Sequence, residues 1–188
     1  VSEAEIYKLM SSLPETERGV VAAIGGGKAL DAGKLLSTRL GGNVITVPTI
    51  ASTDAPASRG IAIYDASHKL AKVVQMPQNP ALVLVDTSII AAAPPDFLRA
   101  GIGDALAKKF EAEAAMAAGA RNKHGTDFLI TGPIVADACY RTLREHAGEA
   151  VGVAGSGTPT VAFEATVEAC FLMAAIGFEN TGLSIAHS

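Results

Sequence analysis

Apolar and polar positions divide the chain into two halves with different periodicities. In the first half, short apolar runs of strand length alternate with stretches in which apolar residues recur every three or four positions. After Pro94 and Pro95 only the helical spacing continues. The pattern therefore predicts an α/β half over residues 1–93, followed by an all-α half over residues 94–188.

The apolar runs of the first half predict a mainly parallel sheet. Residues 20–24, 43–48 and 81–86 are mostly apolar, which is typical of strands buried on both faces. Two further runs flank a short polar segment and predict a hairpin. Helical spacing predicts a helix at residues 2–12 and a second one from Gly27 to about Leu40, which ends at two glycines. The two hairpin strands are predicted at residues 60–65 and 70–76.

Helical patterns account for the second half, with turn-rich segments between them. The most apolar of them, residues 161–178, is interrupted by Glu164 and Glu168, so it is interpreted as a buried helix and not as a membrane span. The predicted helices run from Pro95 to about Ala118, from about Thr131 to Ala147 and from about Pro159 to Gly177, with a last one from near Thr181.

Composition and charge restrict the class of protein. Of the 188 residues, 49% are hydrophobic and 18% charged, which is typical of a globular protein with a sizeable core. The net charge is -4 and no basic stripe is found, so neither nucleic acid nor an anionic membrane is expected as a partner. The N-terminal residues carry Glu3 and Glu5 and lack the apolar core of a signal peptide, so the cytoplasm is the expected location.

Two cysteines, Cys139 and Cys170, lie in predicted helices without a CxxC spacing. We predict two buried thiols in a reducing compartment. A zinc or redox pair is the less favoured alternative.

A glycine turn at Gly25 to Gly27 joins the first predicted strand to the second predicted helix. Glycines let the backbone approach a pyrophosphate closely, and the helix start offers free N–H groups and a positive dipole end, to which Lys28 adds a cation. The sequence matches neither the Walker motif nor a strict GxGxxG. A phosphate site and a plain tight turn therefore both remain open.

Three polar side chains stand in settings that suggest chemistry. Asp104 follows small residues at a predicted helix start, where it either caps the helix or binds a metal, because an unpaired buried charge is costly. His187 lies on a small-residue apolar segment and is either structural or a metal ligand. Asp54 lies in a polar loop, as a turn former or as an acceptor for a hydroxylated ligand.

Five segments in this order resemble the glycerol dehydrogenase branch of the iron-containing (group III) alcohol dehydrogenases. The segments are GGGKALDAGK, VPTIASTDAPAS, NPALVLVDTSII, AGIGDALAKKFEA and GFENTGLSIAHS. The resemblance runs from about Val20 to Ser188. It implies a Rossmann-like dinucleotide-binding half of which this chain holds an incomplete copy, followed by a helical metal-binding domain, with a boundary near Ala93.

The resemblance also implies roles for individual residues. Asp54 is expected beside the substrate hydroxyls, and Asp104 and His187 are expected to be two of three protein ligands of a zinc ion, with iron as the other metal that this ligand set accepts. The third ligand is expected beyond Ser188. The residues expected to contact NAD are Gly26, Gly27 and Lys28 at the pyrophosphate and Thr49, Ser52, Ser58 and Tyr64 on the nicotinamide side.

The implied activity is oxidation of glycerol or a related polyol to the ketone, with a hydride passed to NAD⁺. Another diol or a hydroxy acid is the alternative substrate. Because members of the family are longer than this chain, a truncated, non-catalytic remnant or a nucleotide-binding subunit is the alternative from a different class. A homo-oligomer is expected, since family members assemble into rings and an incomplete sheet has edges that need a partner.

Overall fold

A computed structural model of the chain describes residues 2–13, 19–65, 67 and 69–184. The chain forms two compact units, each considered by itself below. The first comprises Val1–Thr49 and Ala55–Asp86, and the second comprises Ile50–Asp54 and Thr87–Ser188. The short segment Ile50–Asp54 therefore belongs with the helices that follow it in the chain. The predicted boundary between domains near Ala93 stays a prediction.

A parallel sheet with one packed helix forms the centre of the first unit. Its strands are β1 (Val20–Gly25), β2 (Asn43–Pro48) and β5 (Leu82–Val83), in the order β1-β2-β5, and both pairings are parallel. The helices α1 (Glu3–Ser11) and α2 (Gly27–Leu40) were both predicted. The pair β3 (Gly60–Tyr64) and β4 (Leu70–Gln75) forms the predicted antiparallel hairpin. Residues 49–59, which include the polar loop predicted around Asp54, contain neither helix nor strand.

Local signals explain the ends of these elements. Helix α1 begins with a capping box, in which the Ser2 hydroxyl accepts from the backbone N–H of Glu5 and the Glu5 carboxylate accepts from the Ser2 N–H. Helix α2 ends at Gly41, whose φ of 66° lies in the left-handed region that favours glycine. The core of this unit is made of Ile6, Ala23, Leu30, Leu35, Val44, Ile61, Ile63 and Met76.

The prediction of strands buried on both faces is wrong for two of the three parallel strands. Val20 and Ile24 of β1 are 61% and 62% exposed. Leu82 of β5 is half exposed, and β5 pairs with β2 over only two residues instead of the predicted six-residue run. A mostly apolar run reflects the composition of a strand, whereas the burial of the strand depends on which elements cover its faces.

The second unit is helical, as predicted. Its elements are α3 (Thr87–Ala92), α4 (Pro95–Ala117), α5 (Thr131–Val153), α6 (Val161–Glu168), a π-helical segment (Ala169–Met173) and α7 (Ala174–Thr181). Helix α3 was not predicted, and α5 extends six residues beyond its predicted end at Ala147. The core includes Leu98, Cys139, Leu143, Phe163, Val167, Cys170 and Phe171.

The last helical run is continuous where a break was predicted. From Val161 it continues through the π-helical segment to Thr181, so the expected end at Gly177 is wrong. The last helix, expected from near Thr181, falls largely on residues 185–188, which lie outside the described residues. Gly177 is tolerated inside the helix because it packs closely on Ala136 of α5. By length and composition this run could cross a membrane, but 61% of its most apolar window is buried, as in the core helix of a globular protein.

Candidate functional site

A buried lysine joins two of the predicted chemical residues in the second unit. The Lys108 ammonium lies 3.2 Å from Asp104 Oδ1 and 3.3 Å from Asp54 Oδ2. The lysine side chain is 3% exposed, against 13% for Asp54 and 16% for Asp104. One ammonium thus neutralises part of the charge of two carboxylates that are themselves mostly shielded from water.

Two elements bring these side chains together. Asp104 and Lys108 stand four residues apart on α4, so they lie on the same face of that helix. Asp54 comes from the segment Ile50–Asp54, whose backbone packs directly on α4 at Gly101. A Cβ atom on Gly101 would overlap the carbonyl oxygen of Ala51, so glycine is what allows this approach.

An aromatic ring completes the surroundings of the ammonium. The centroid of the Phe178 ring on α7 lies 5.1 Å from Lys108 Nζ, within the range of a cation–π contact. Burial lowers the pKa of Lys108, but the nearby carboxylates of Asp54 and Asp104 outweigh it and raise that pKa above its usual value. Lys108 is therefore charged at neutral pH.

The glycine turn of the first unit lies at the carboxyl end of the parallel sheet. Gly25 has a φ of 141°, a conformation that favours glycine, and its carbonyl oxygen accepts the N–H of Thr49, the residue after β2, at 3.1 Å. Gly26 caps α2 and Gly27 begins it. The carboxyl edge of an open parallel sheet is where such folds bind their ligands. The structure thus brings the predicted turn and Thr49 together.

The remaining predicted residues lie in different places. Ser58 is buried, Tyr64 ends β3, and Ser52 lies in the segment that carries Asp54. Lys28 is exposed in the first turn of α2 and borders a cavity of about 600 Å³ between α1 and α2. His187 lies outside the described residues. The roles of all these residues in binding stay predictions.

Sequence reasoning missed Lys108. The signal was present in GDALAKKFEA, because a lysine four residues after a buried aspartate lies on the same helical face. The partner Asp54 could not be found in this way, since it is 54 positions upstream of Lys108 and only tertiary packing brings it there.

The described residues fit a metal ion only in part. The carboxylate of Asp104 is a hard oxygen donor that suits Zn²⁺ or Fe²⁺. Among the residues that the structure describes, no group of three or more histidine, cysteine, aspartate or glutamate side chains could hold a metal. Asp104 can therefore serve as one ligand of the metal. The expected second ligand, His187, lies outside the described residues.

Both cysteines are buried thiols, as predicted. Burial raises the pKa of Cys139 to about 12, and it also raises the pKa of Cys170. Cys139 Sγ lies 3.4 Å from the carbonyl oxygen of Ala169, in position to donate a weak hydrogen bond.

We expect neither thiol to react with a disulfide reagent such as DTNB at pH 8 in the folded protein, because the reactive thiolate is scarce and both groups are inaccessible. Addition of denaturant should release two reactive thiols per chain at these positions. The absorbance of the released thiolate measures both states. Fast reaction of either cysteine in the native protein would contradict the burial described above.

The comparisons with known proteins agree with this architecture. The family model described as iron-containing alcohol dehydrogenase matches residues 1–94, and the chain belongs to that family. It is 44% identical to a glycerol dehydrogenase of Thermotoga maritima and 41% identical to a glycolaldehyde reductase of Halobacterium salinarum. Each alignment covers 100% of this chain and 51% of the relative.

A solved structure gives the same picture. The crystal structure of glycerol dehydrogenase from Schizosaccharomyces pombe superposes with a TM-score of 0.93 at 38% identity, over 99% of this chain and 47% of that one. The chain thus spans about half the length of the relatives that it matches. The parallel sheet followed by a helical region is the architecture predicted from the sequence.

Proposed function

We propose that this chain forms part of an NAD-dependent and metal-dependent dehydrogenase that oxidises glycerol or a related polyol to the ketone. The observation that carries the proposal is the meeting of Asp54 and Asp104 on one buried ammonium, in a chain 44% identical to a glycerol dehydrogenase over its whole length. Two carboxylates in a nearly dry site can accept hydrogen bonds from hydroxyls and take part in holding a cation.

The proposed roles follow the chemistry of each group. Asp54 accepts a hydrogen bond from a substrate hydroxyl and so orients the polyol. Gly26 and Gly27 present backbone N–H groups at the start of α2, which suits a pyrophosphate, and Lys28 adds a positive charge beside them. Thr49, Ser52, Ser58 and Tyr64 are proposed to line the nicotinamide side of the cofactor.

Asp104 and His187 are the residues that would hold the metal. A divalent ion supplies Lewis-acid chemistry, which makes a bound alcohol more acidic and so favours hydride loss to NAD⁺. Zinc is proposed and iron is the alternative, because one carboxylate with imidazoles accepts either. The chain itself contributes the fixed orientation of two carboxylates, Asp104 on α4 and Asp54 on the segment that packs on α4.

We expect the substitution Asp104→Asn to reduce metal content and NADH formation from glycerol by about 100-fold or more, since loss of a ligand weakens a site at least as much as loss of its outer partners does. Asp96→Asn is the matched control: Asp96 lies on the same helix, its side chain is 90% exposed, and it pairs only locally with Arg99 in the described structure. Metal content is measured by atomic emission and turnover by absorbance at the nicotinamide band. If D104N kept the metal content and turnover of the wild type, the proposed role of Asp104 as a metal ligand would be wrong.

A second substrate class is favoured by a specific similarity. The relative from Halobacterium salinarum is named a glycolaldehyde reductase, and its 41% identity lies within the 37% to 44% of the glycerol dehydrogenases. Reduction of a small hydroxyaldehyde uses the same groups in the reverse direction. A panel of glycerol, other diols, hydroxy acids and glycolaldehyde, tested in both directions, separates these substrates by kcat/KM.

We also propose that the protein acts in the cytoplasm as a homo-oligomer. The oligomer is supported by the exposed apolar side chains of β1 and β5, which a further protein surface could cover. Sedimentation of the intact protein measures its assembly state, and a monomer at micromolar concentration would contradict the oligomer.

A further inference from the structure

Two consecutive lysines on α4 have opposite surroundings. Lys108 is buried between Asp54 and Asp104 and faces the Phe178 ring. Lys109 lies 2.9 Å from Asp137 and 4.8 Å from the centroid of the Tyr140 ring, but it is 24% exposed and Asp137 is 40% exposed. The partners are of the same kind, and the difference is access to water.

Access to water decides what each lysine contributes. Water screens the ion pair between Lys109 and Asp137, so replacing Lys109 should change the stability of the protein little. The two carboxylates near Lys108 are mostly shielded, and both have an oxygen within 3.3 Å of the same ammonium, so they are near neighbours of like charge. Like charges in a shielded site repel strongly, and removal of the ammonium takes away a counter-charge that both carboxylates share.

We propose that Lys108 is a positioning residue that ties Asp54 to Asp104 and supplies the counter-charge that a divalent cation would otherwise provide. This inference rests on the proposed function, in which Asp54 faces the substrate and Asp104 the metal. The ammonium keeps the two carboxylates at a fixed separation before a metal arrives. It also opposes metal binding, because a positive charge next to a ligand oxygen repels a dication.

The first test is a double-mutant cycle on the intact protein in the presence of a chelator. K108M should lower Tm by on the order of 5 °C or more, because it removes the positive charge that two shielded carboxylates share. K109M, the matched control, should stay within about 2 °C of the wild type. Adding D54N to K108M should recover most of the loss, since one of the two repelling charges is then gone.

Two results of the cycle would overturn the inference. One is a Tm of K108M that matches that of K109M. The other is a K108M/D54N protein whose loss of Tm equals the sum of the losses in K108M and in D54N. Additive losses would mean that the ammonium does not couple the two carboxylates.

The second test measures Zn²⁺ affinity of the metal-free proteins by competition with a chelating dye. K108M should bind Zn²⁺ at least about tenfold more tightly than the wild type, since a positive charge close to the ligand has been removed. K109M should differ by less than about twofold. Zinc affinity of K108M equal to that of K109M overturns the inference. Weaker binding overturns the repulsion of the metal by the ammonium, because the positioning of Asp104 would then outweigh it.

The proposed metal site and the proposed role of Lys108 can fail separately. If zinc binds neither the wild type nor D104N measurably, the proposed metal site fails. The chelator cycle, which needs no metal, still decides whether Lys108 couples the two carboxylates.

Discussion

Replacing Lys34 by methionine is expected to lower the free energy of unfolding by about 3 to 5 kcal/mol, the usual cost of leaving one partner of a buried ion pair behind. The Lys34 side chain on α2 is 0% exposed. Its ammonium donates to the carbonyl oxygen of Gly60 at 3.0 Å and lies 3.6 Å from Asp31 Oδ1. Asp31 Oδ2 in turn accepts the N–H of Ala62 at 3.1 Å, so the pair ties α2 to β3.

The pH dependence follows from the pKa of Asp31. Burial raises this pKa, and the attraction of Lys34, which acts in the opposite direction, does not cancel the rise. A carboxyl with a raised folded pKa favours folding most below its unfolded pKa, and this benefit is lost as the pH rises through the folded pKa. Without Lys34 the pKa rises further. The deficit of K34M should therefore be largest at neutral pH and shrink as the solution is acidified.

Urea unfolding of the intact protein followed by circular dichroism at pH 7 and in mild acid tests both statements. Lys8→Met is the control, because Lys8 is exposed in the last turn of α1, and its replacement should change stability by no more than about 0.5 kcal/mol. Adding D31N to K34M should recover most of the deficit. A K34M protein as stable as K8M would show that the ion pair does not hold α2 to β3.

Local signals were sufficient to predict most of the first unit. The glycines at 25–27 stop β1 and start α2, and the glycines at 41 and 42 end α2, so both boundaries follow from backbone conformation alone. The hairpin between β3 and β4 was equally readable from two apolar runs around a short polar segment. These features depend on residues close together in the chain.

The exposure of the sheet strands and the continuity of the last helical run could not be predicted from local signals. The exposure of Ile24 and Leu82 depends on which elements cover the sheet, and the run from Val161 to Thr181 passes Gly177 because packing on Ala136 holds it. Tertiary contacts override local propensity in both cases.

In the candidate site, too, local sequence signals predict some features and only tertiary packing explains the others. Asp104 was recognisable as an acid among small residues, and Asp54 as an acid in a polar loop. Asp104 lies inside α4 (Pro95–Ala117) and not at a helix start, so the alternative that it caps the helix is wrong. The structure adds that both contact Lys108, which no local pattern could show for a residue 54 positions away. A contact between distant segments requires a surface on which they fit, and here Gly101 provides it.

Gly101→Ala is therefore expected to disturb the site from a position that carries no chemical group. Its Cβ would overlap the carbonyl oxygen of Ala51, so the segment that carries Asp54 has to move away from α4. Such overpacking typically costs about 1 to 3 kcal/mol of stability. A displacement of about 1 Å at a group that orients the substrate can reduce kcat/KM by about 100-fold.

Gly103→Ala is the matched control two residues further along the same helix. A Cβ atom at Gly103 meets nothing within 4 Å, and alanine favours a helix over glycine, so G103A should be as stable as the wild type or more stable by up to about 1 kcal/mol. Unfolding in urea and NADH formation are measured for both variants. Equal stability of G101A and G103A would contradict the close packing of the segment on α4. A destabilised G101A that keeps full activity would uphold the packing but remove Asp54 from the proposed substrate site, because the shift of its segment would then be without consequence for turnover.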